Sequence, residues 1–382
     1  MTRSAGRAVV ATAACALALA AVIPSEAATA PAANWLQMGF NAQHTGDNPL
    51  ETALRRANVG HLVRAFATPT LTGADPIVAG GVVYLGESGG GFVQAIDAVT
   101  GAHRWTANAG QQTSAPVFSK TRIWVGLNDP ALVGMASGSG AVVATILAGD
   151  LVPNLSTANG VVYTGGGGNE LAAVVAATGR VLWSVRLPGA STLQAPAVSL
   201  DGASLFVSSS GYVYRVSAAT GAVVWRTFVD TCGESAVTVS GSSLFVSGCN
   251  VNALSAATGR MLWHSTQFGP TITAPAVANG LVVAGAQGNF PGLAAFDAVT
   301  GRTVWKIGEF VQNAPTIAGG VVYVDAEFDL DMVNSSTGAL LGRVTPPSST
   351  QFTGSPVPVD GRVYITTSNL VDFSTTLQAF GP

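Results

Sequence analysis

Apolar positions along the chain come in short bursts. Runs such as Val82-Val83-Tyr84, Val161-Val162-Tyr163, Leu205-Phe206-Val207 and Val321-Val322-Tyr323 combine β-branched and aromatic residues and end at turn formers. Bursts of this kind read as consecutive antiparallel strands. A small residue and a proline open most of them: Ala115-Pro116, Ala195-Pro196, Ala274-Pro275 and Ala314-Pro315, with Asp75-Pro76 and Ser355-Pro356 as variants. A second phrase follows each. Ala95-Ile96-Asp97-Ala98-Val99-Thr100-Gly101 with Trp105 returns as Thr178-Gly179 with Trp183, Thr220-Gly221 with Trp225, Thr258-Gly259 with Trp263 and Thr300-Gly301 with Trp305. Ser139-Gly140 and Thr337-Gly338 are degenerate copies, with Ala144 and Gly342 at the Trp position.

A period near 40 residues that holds four strands is a propeller blade. The opening phrase occurs near residues 76, 116, 157, 196, 236, 275, 315 and 356, and the Thr-Gly phrase closes seven of these units. The pattern predicts an all-β fold: an eight-bladed β-propeller of four-stranded antiparallel blades spanning 61–382, with 31–60 as a lead-in. The eighth closing strand is missing at the C-terminal end. The stretch Asn58 to Phe66 is expected to supply it, so that an N-terminal strand completes the last blade. Seven blades is the alternative, and requires one opening phrase to be spurious.

The Thr-Gly pair is a turn signal, since Gly takes a positive φ at little cost. Trp105, Trp183, Trp225, Trp263 and Trp305 stand at one register and are expected to dock between blades, because a large indole with one N–H suits a buried slot with one acceptor. This phrase resembles the tryptophan-docking repeat of pyrroloquinoline-quinone-type propellers, from residue 34 to 382. The stretch from Trp35 through His44, Thr45 and Gly46 to Pro49 is similar to that superfamily's lead-in. The resemblance implies the fold. For its quinone-dependent dehydrogenases it also implies adjacent cysteines over the quinone, acidic and Asn ligands for calcium and a catalytic Asp. No adjacent cysteines and no Cys-x-x-Cys-His haem site stand in this sequence, so no catalytic residue carries over. Pyrroloquinoline quinone and calcium are therefore not expected as cofactors, and the compact non-catalytic propellers are the nearer likeness.

Composition fits that outline. Only 10% of the 382 residues are charged, and the net charge is -3. A chain 48% hydrophobic with so little charge can bury a core and is not disordered. At a net charge of -3 and a pI near 5.8 no basic surface for nucleic acid is expected, and only Lys120 and Lys306 of the 17 basic residues are lysines. Arg3 and Arg7 precede an uncharged run from Ala8 to Ile23, with small residues before cleavage sites after Ala27 or Ala30. That reads as a secretory signal peptide over 1–30 that carries Cys15 away, leaving a secreted, monomeric chain of residues 31–382 with no membrane span. The histidines His44, His61, His103 and His264 share no ligand spacing.

Two cysteines remain. Cys232 falls in a blade-to-blade connection and Cys249 in the second-to-third strand connection of the next blade, which lie on one propeller face. An even pair in an exported chain reads as a disulfide. That face also collects Glu87, Asp129, Glu170, Asp230, Glu234, Glu309, Asp325, Glu327, Asp329 and Asp372, whereas the Thr-Gly face carries Arg104, Arg180, Arg260 and Arg302. Glu87, Asp129, Glu170, Asp325, Glu327 and Asp329 mark the candidate binding face. The densest stretch, Asp325, Glu327, Asp329 and Asp331, would line one side of an extended strand and is a candidate calcium site. The function expected is a secreted, non-enzymatic binding module for a protein or polar extracellular ligand. The second reading is a pyrroloquinoline-quinone-dependent oxidoreductase with a reduced site. A hydrolase would require acids converging on the central funnel.

Overall fold

The computed structural model describes residues 34–71, 75–86, 90–110, 114–128, 131–147, 154–230, 232, 235–265, 273–286, 292–308 and 311–382. The expected signal peptide, its cleavage sites and Cys15 lie outside these, as do Glu87, Asp129, Glu234 and Glu309. Among the described residues no helix is long and apolar enough to cross a membrane.

Eight sheets form an eight-bladed propeller, each blade of four antiparallel strands; in the first seven blades these follow sequence order from axis to rim, and the blade 7 sheet gains the short parallel strand Asp47–Asn48 at its inner edge. In chain order the blades span 77–108, 117–147, 154–186, 197–228, 238–264, 276–307, 316–344 and 350–381. The last blade is closed by Val63–Thr70, which pairs with Thr375–Gly381. The closing strand thus begins later than the Asn58–Phe66 stretch expected from sequence. The reason is a neighbour: Val59–His61 forms a single 3₁₀ turn that packs on blade 7, where a Cβ on Gly342 would lie 2.7 Å from the Val59 carbonyl oxygen.

Each blade repeats one cross-strand row. In blade 1 it is Ile77, Tyr84, Ala95 and Trp105. Large and small side chains alternate so that neighbouring sheets interdigitate. The Trp lies over the Thr-Gly turn of the next blade. Trp105, Trp183, Trp225, Trp263 and Trp305 donate Nε1–H to the carbonyls of Ser137, Ala218, Ala257, Ala298 and Ser335 at 2.8–3.2 Å. The turn glycine is required twice. At Gly301 φ is +71°, and a Cβ would sit 2.6 Å from Trp263 Cδ2.

The degenerate blades show the same volume rule. Blade 2 has Ala144 at the Trp position, and its row reads Val117, Trp124, Gly134, Ala144. Bulk has moved from the outer strand to the second, and Trp124 fills the slot toward blade 3 with Leu155 and Val174. In blade 8 the outer strand supplies Phe66, which covers Gly101 of blade 1, while Thr68 donates to the Gly101 carbonyl at 2.6 Å.

The lead-in has a task that its sequence did not disclose. A ring of eight innermost strands leaves eight inward edges with unpaired backbone groups. Residues 35–48 run round the axis and meet these edges in blade order. Trp35 exchanges both backbone bonds with Val78 (2.7 and 2.9 Å), and the Leu36 carbonyl accepts from Phe118. Buried Gln37 bonds Thr157 N–H and carbonyl with its amide, at 2.6 and 3.3 Å. The carbonyls of Ala42, Gln43, Thr45 and Gly46 accept from Val198, Val239, Val277 and Ile317 at 2.7–2.8 Å. Asn48 donates to Pro358 of blade 8 at 3.0 Å. One end of the axial channel is stopped by this spiral.

Candidate functional site: a blind axial pocket

The lead-in crosses the first strands at their middle or later residues. The residues that open those strands, on the face of the blade-to-blade connections, are left around a pocket of about 180 Å³. Its wall is a ring of Ala115, Ala236, Ala274, Ala314 and Pro76, Pro275 and Pro315, and its floor is Trp35, Met38, Gly39, His44 and Gly46. The small opening residues that look like strand punctuation in the sequence thus keep the axis open.

Polar groups in this wall are few. Asp75 stands before the opening proline of blade 1, where four other blades have Ala and blade 8 has Ser355. Its Oδ1 accepts the Ser355 N–H at 2.7 Å. The side chain keeps surface open to the pocket, yet is so enclosed by chain that burial pushes its pKa up, against the lowering effect of the Ser355 backbone and hydroxyl. Asp325, in the second strand of blade 7, is buried. Its carboxyl accepts from Asn313 N–H (3.0 Å) and Nδ2–H (2.5 Å). Burial, with Asp75's charge a smaller contribution, pushes it up to about 6. On the floor, His44 is 1% exposed, with Nε2 2.9 Å from Ser156 Oγ. Burial lowers its pKa to about 4, only partly offset by the Val237 carbonyl, with which Nδ1 makes no well-aligned bond. The ring is neutral at pH 7.

The residues singled out by sequence lie in different places. Glu170 begins the third strand of blade 3, accepts the Ser184 hydroxyl proton and does not line the pocket. Cys232 and Cys249 form a disulfide with Cα atoms 4.9 Å apart. Asp230 holds its two loops, accepting N–H from Cys232 (3.2 Å) and Cys249 (3.0 Å). The acidic run of blade 7 is not one extended strand. Val321–Ala326 and Asp329–Asn334 are two strands paired in register, with Asp325 opposite Leu330 and Asp331 opposite Val324. Asp325 and Asp331 therefore face opposite sides of the sheet, and Glu327 sits at the exposed hairpin tip with φ +56°. Arg343 clamps Asp331 through two bonds of 2.6 Å and lies 3.5 Å from Asp329. The four carboxylates share no common centre.

Asp75 and His44 were not marked as functional by sequence. The readable signal was Asp in place of the usual Ala before a blade-opening proline. His44 gave none, because its role depends on where the lead-in goes.

The family profile of the outer membrane protein assembly factor BamB matches residues 43–154, 147–210 and 209–377. The chain belongs to this family. It is an eight-bladed propeller of the pyrroloquinoline-quinone-like superfamily. A curated relative, tetrathionate hydrolase of Acidithiobacillus ferrooxidans, is 28% identical over 78% of this chain. The match covers 63% of that relative's length. Among solved structures, a europium-containing methanol dehydrogenase superposes with a TM-score of 0.76 at 13% identity, covering 92% of this chain and 98% of that one. BamB from Moraxella catarrhalis gives 0.69 at 14% identity, covering 84% and 100%. At such identities the two structures establish shared fold and nothing finer.

Pyrroloquinoline quinone carries three carboxylates. The described lining offers Asp75 and neutral His44 as its ionisable side chains, with no Arg or Lys. An anion buried without a cation or a set of donors is strongly disfavoured. For calcium, which takes about six to eight oxygens, the lining supplies one carboxylate, and the nearby Asp325 is engaged by Asn313. The described lining of the axial pocket does not fit either group.

Proposed function

We propose that this propeller works outside the cytoplasm as a binding protein, through the face on which the axial pocket opens, and not as a quinone-dependent oxidoreductase. The observation that carries this reading is the chemistry of the pocket: blind, mostly apolar, with one half-buried acid and no cation in its described lining. The disulfide supports an oxidising compartment, where such bonds persist. On the same face the hairpin tips of blades 7 and 8 expose Phe328, Leu370, Val371 and Phe373, the last 77% exposed at φ +58°. Glu327 and Asp372 flank them. Apolar side chains held out in this way suit a protein surface, and the acids favour a basic or polar one.

The test is direct. Purified protein is mixed with pyrroloquinoline quinone and calcium, and dye reduction is followed across alcohols and sugars. The reading expects no turnover and no shift in melting temperature; turnover abolished by filling the pocket would refute it. A second reading is favoured by the relative's name and by Asp75 in the pocket wall with Asp325 near it: hydrolysis at the axial pocket, with Asp75 as a proton donor. Loss of tetrathionate on incubation with the protein, absent in Asp75→Asn, would establish it in place of the first.

A further inference from the structure

Asp75 stands in an apolar ring where a charge has no counter-ion. Its carboxyl is met by the Ser355 N–H, on Oδ1, and by the Ser355 hydroxyl. Other hydroxyls of the lining are turned away: Ser235 donates to the Ala236 carbonyl at 2.9 Å and Thr316 to that of Pro356 at 2.8 Å. The charged neighbour that acts on it is another acid, Asp325 in blade 7, and the other ionisable side chain of the described lining, His44, is neutral. An ionised Asp75 would meet burial and a second acid, whereas the neutral acid has one O–H to give. Burial accordingly raises its pKa.

We infer that the axial pocket binds a small uncharged molecule, about the size of a six- or seven-membered ring, through a carbonyl or ether oxygen that accepts the acid proton of Asp75. The inference rests on the binding reading above. Size follows from the volume: an apolar cavity of about 150 Å³ takes benzene, and this pocket is about 180 Å³. Charge follows from the lining, since an anion would be buried without a partner and a cation would require Asp75 ionised beside Asp325. Gln194, three blades round the ring, lines the same pocket and offers a second polar point.

Calorimetric titration at mildly acidic pH with cyclohexanone, cyclohexylamine and cyclohexanecarboxylate tests this. Cyclohexanone is expected to bind most tightly. Asp75→Asn keeps a donor at the same place and should bind it within about threefold, whereas Asp75→Leu should weaken it about tenfold or more. Ala274→Phe fills the pocket and should abolish it, with melting curves confirming that each variant folds. Tighter binding of the amine, lost in Asp75→Asn, overturns the inference by showing an ionised carboxylate. Ketone binding lost in Ala274→Phe but unchanged in Asp75→Leu overturns the donor assignment and leaves the binding reading standing. No binding of any probe overturns the inference, while dye reduction decides the broader reading separately.

Discussion

Asp325→Asn should make the protein more stable at pH 8 and leave it nearly unchanged at pH 4. The carboxyl is 2% exposed in the second strand of blade 7, and burial raises its pKa from 3.8 to about 6. A raised folded-state pKa means that the native chain holds a proton the unfolded chain has released. Stability from this group is full below pH 3.8 and falls as pH rises through about 6. Each unit corresponds to about 1.4 kcal/mol, so ionisation in place costs about 3 kcal/mol by pH 8. Asn is neutral throughout, and its carbonyl oxygen can still accept the Asn313 N–H that Asp325 accepts now. Its amide would face the Asn313 amide, which must flip to present oxygen. Chemical denaturation of both proteins between pH 4 and 8 provides the measurement. Other titrating groups largely cancel in the difference, which should grow by about 3 kcal/mol across the range. A difference that is flat with pH, or that favours the wild type more at pH 8 than at pH 4, refutes burial as the cause.

Three further outcomes follow from the packing. Gly301→Ala should cost about 2–4 kcal/mol, from a left-handed backbone and an indole pushed aside, whereas Gly80→Ala should cost only about 1 kcal/mol. Gly80 has φ +58° and nothing within 4 Å of a new Cβ; equal losses in denaturation midpoint would remove the docking contact as the cause. Cys232→Ser, Cys249→Ser and the double variant should each lose about 3 kcal/mol, and equally, because the bond closes a loop over a separation of 17 residues; additive losses would show that the cysteines act separately. Gln37→Ala should cost about 1–3 kcal/mol by leaving the inner edge of blade 3 unpaired, and an unchanged melting temperature would mean the lead-in is not needed to close the axis.

Much of the propeller was written locally. Strand runs, turn glycines and prolines act within a few residues of themselves, so their spacing reveals the blades without knowledge of distant contacts. The Trp105, Trp183, Trp225, Trp263 and Trp305 register was legible for the same reason. The slot behind Ala144 was not. Trp124 fills it from another strand, and interchangeable bulk within one row can be recognised only once strand register is known. Blade 7's acids misled for a related reason. Alternate positions share a side only while the strand continues, and the chain reverses between Ala326 and Asp329.

Periodic patterning and short-range turn chemistry made the repeats, their strand content and the return of an N-terminal strand to the last blade readable from sequence. Tertiary structure alone decided where the working site lies. A pocket at the axis gathers single residues from many blades, and no spacing links Asp75 to Gln194 or Asp325. The lead-in decided the rest. Its backbone meets six inward strand edges and its Gln37 and Asn48 side chains meet the other two, in blade order, and that demand belongs to the closed ring and to no single blade.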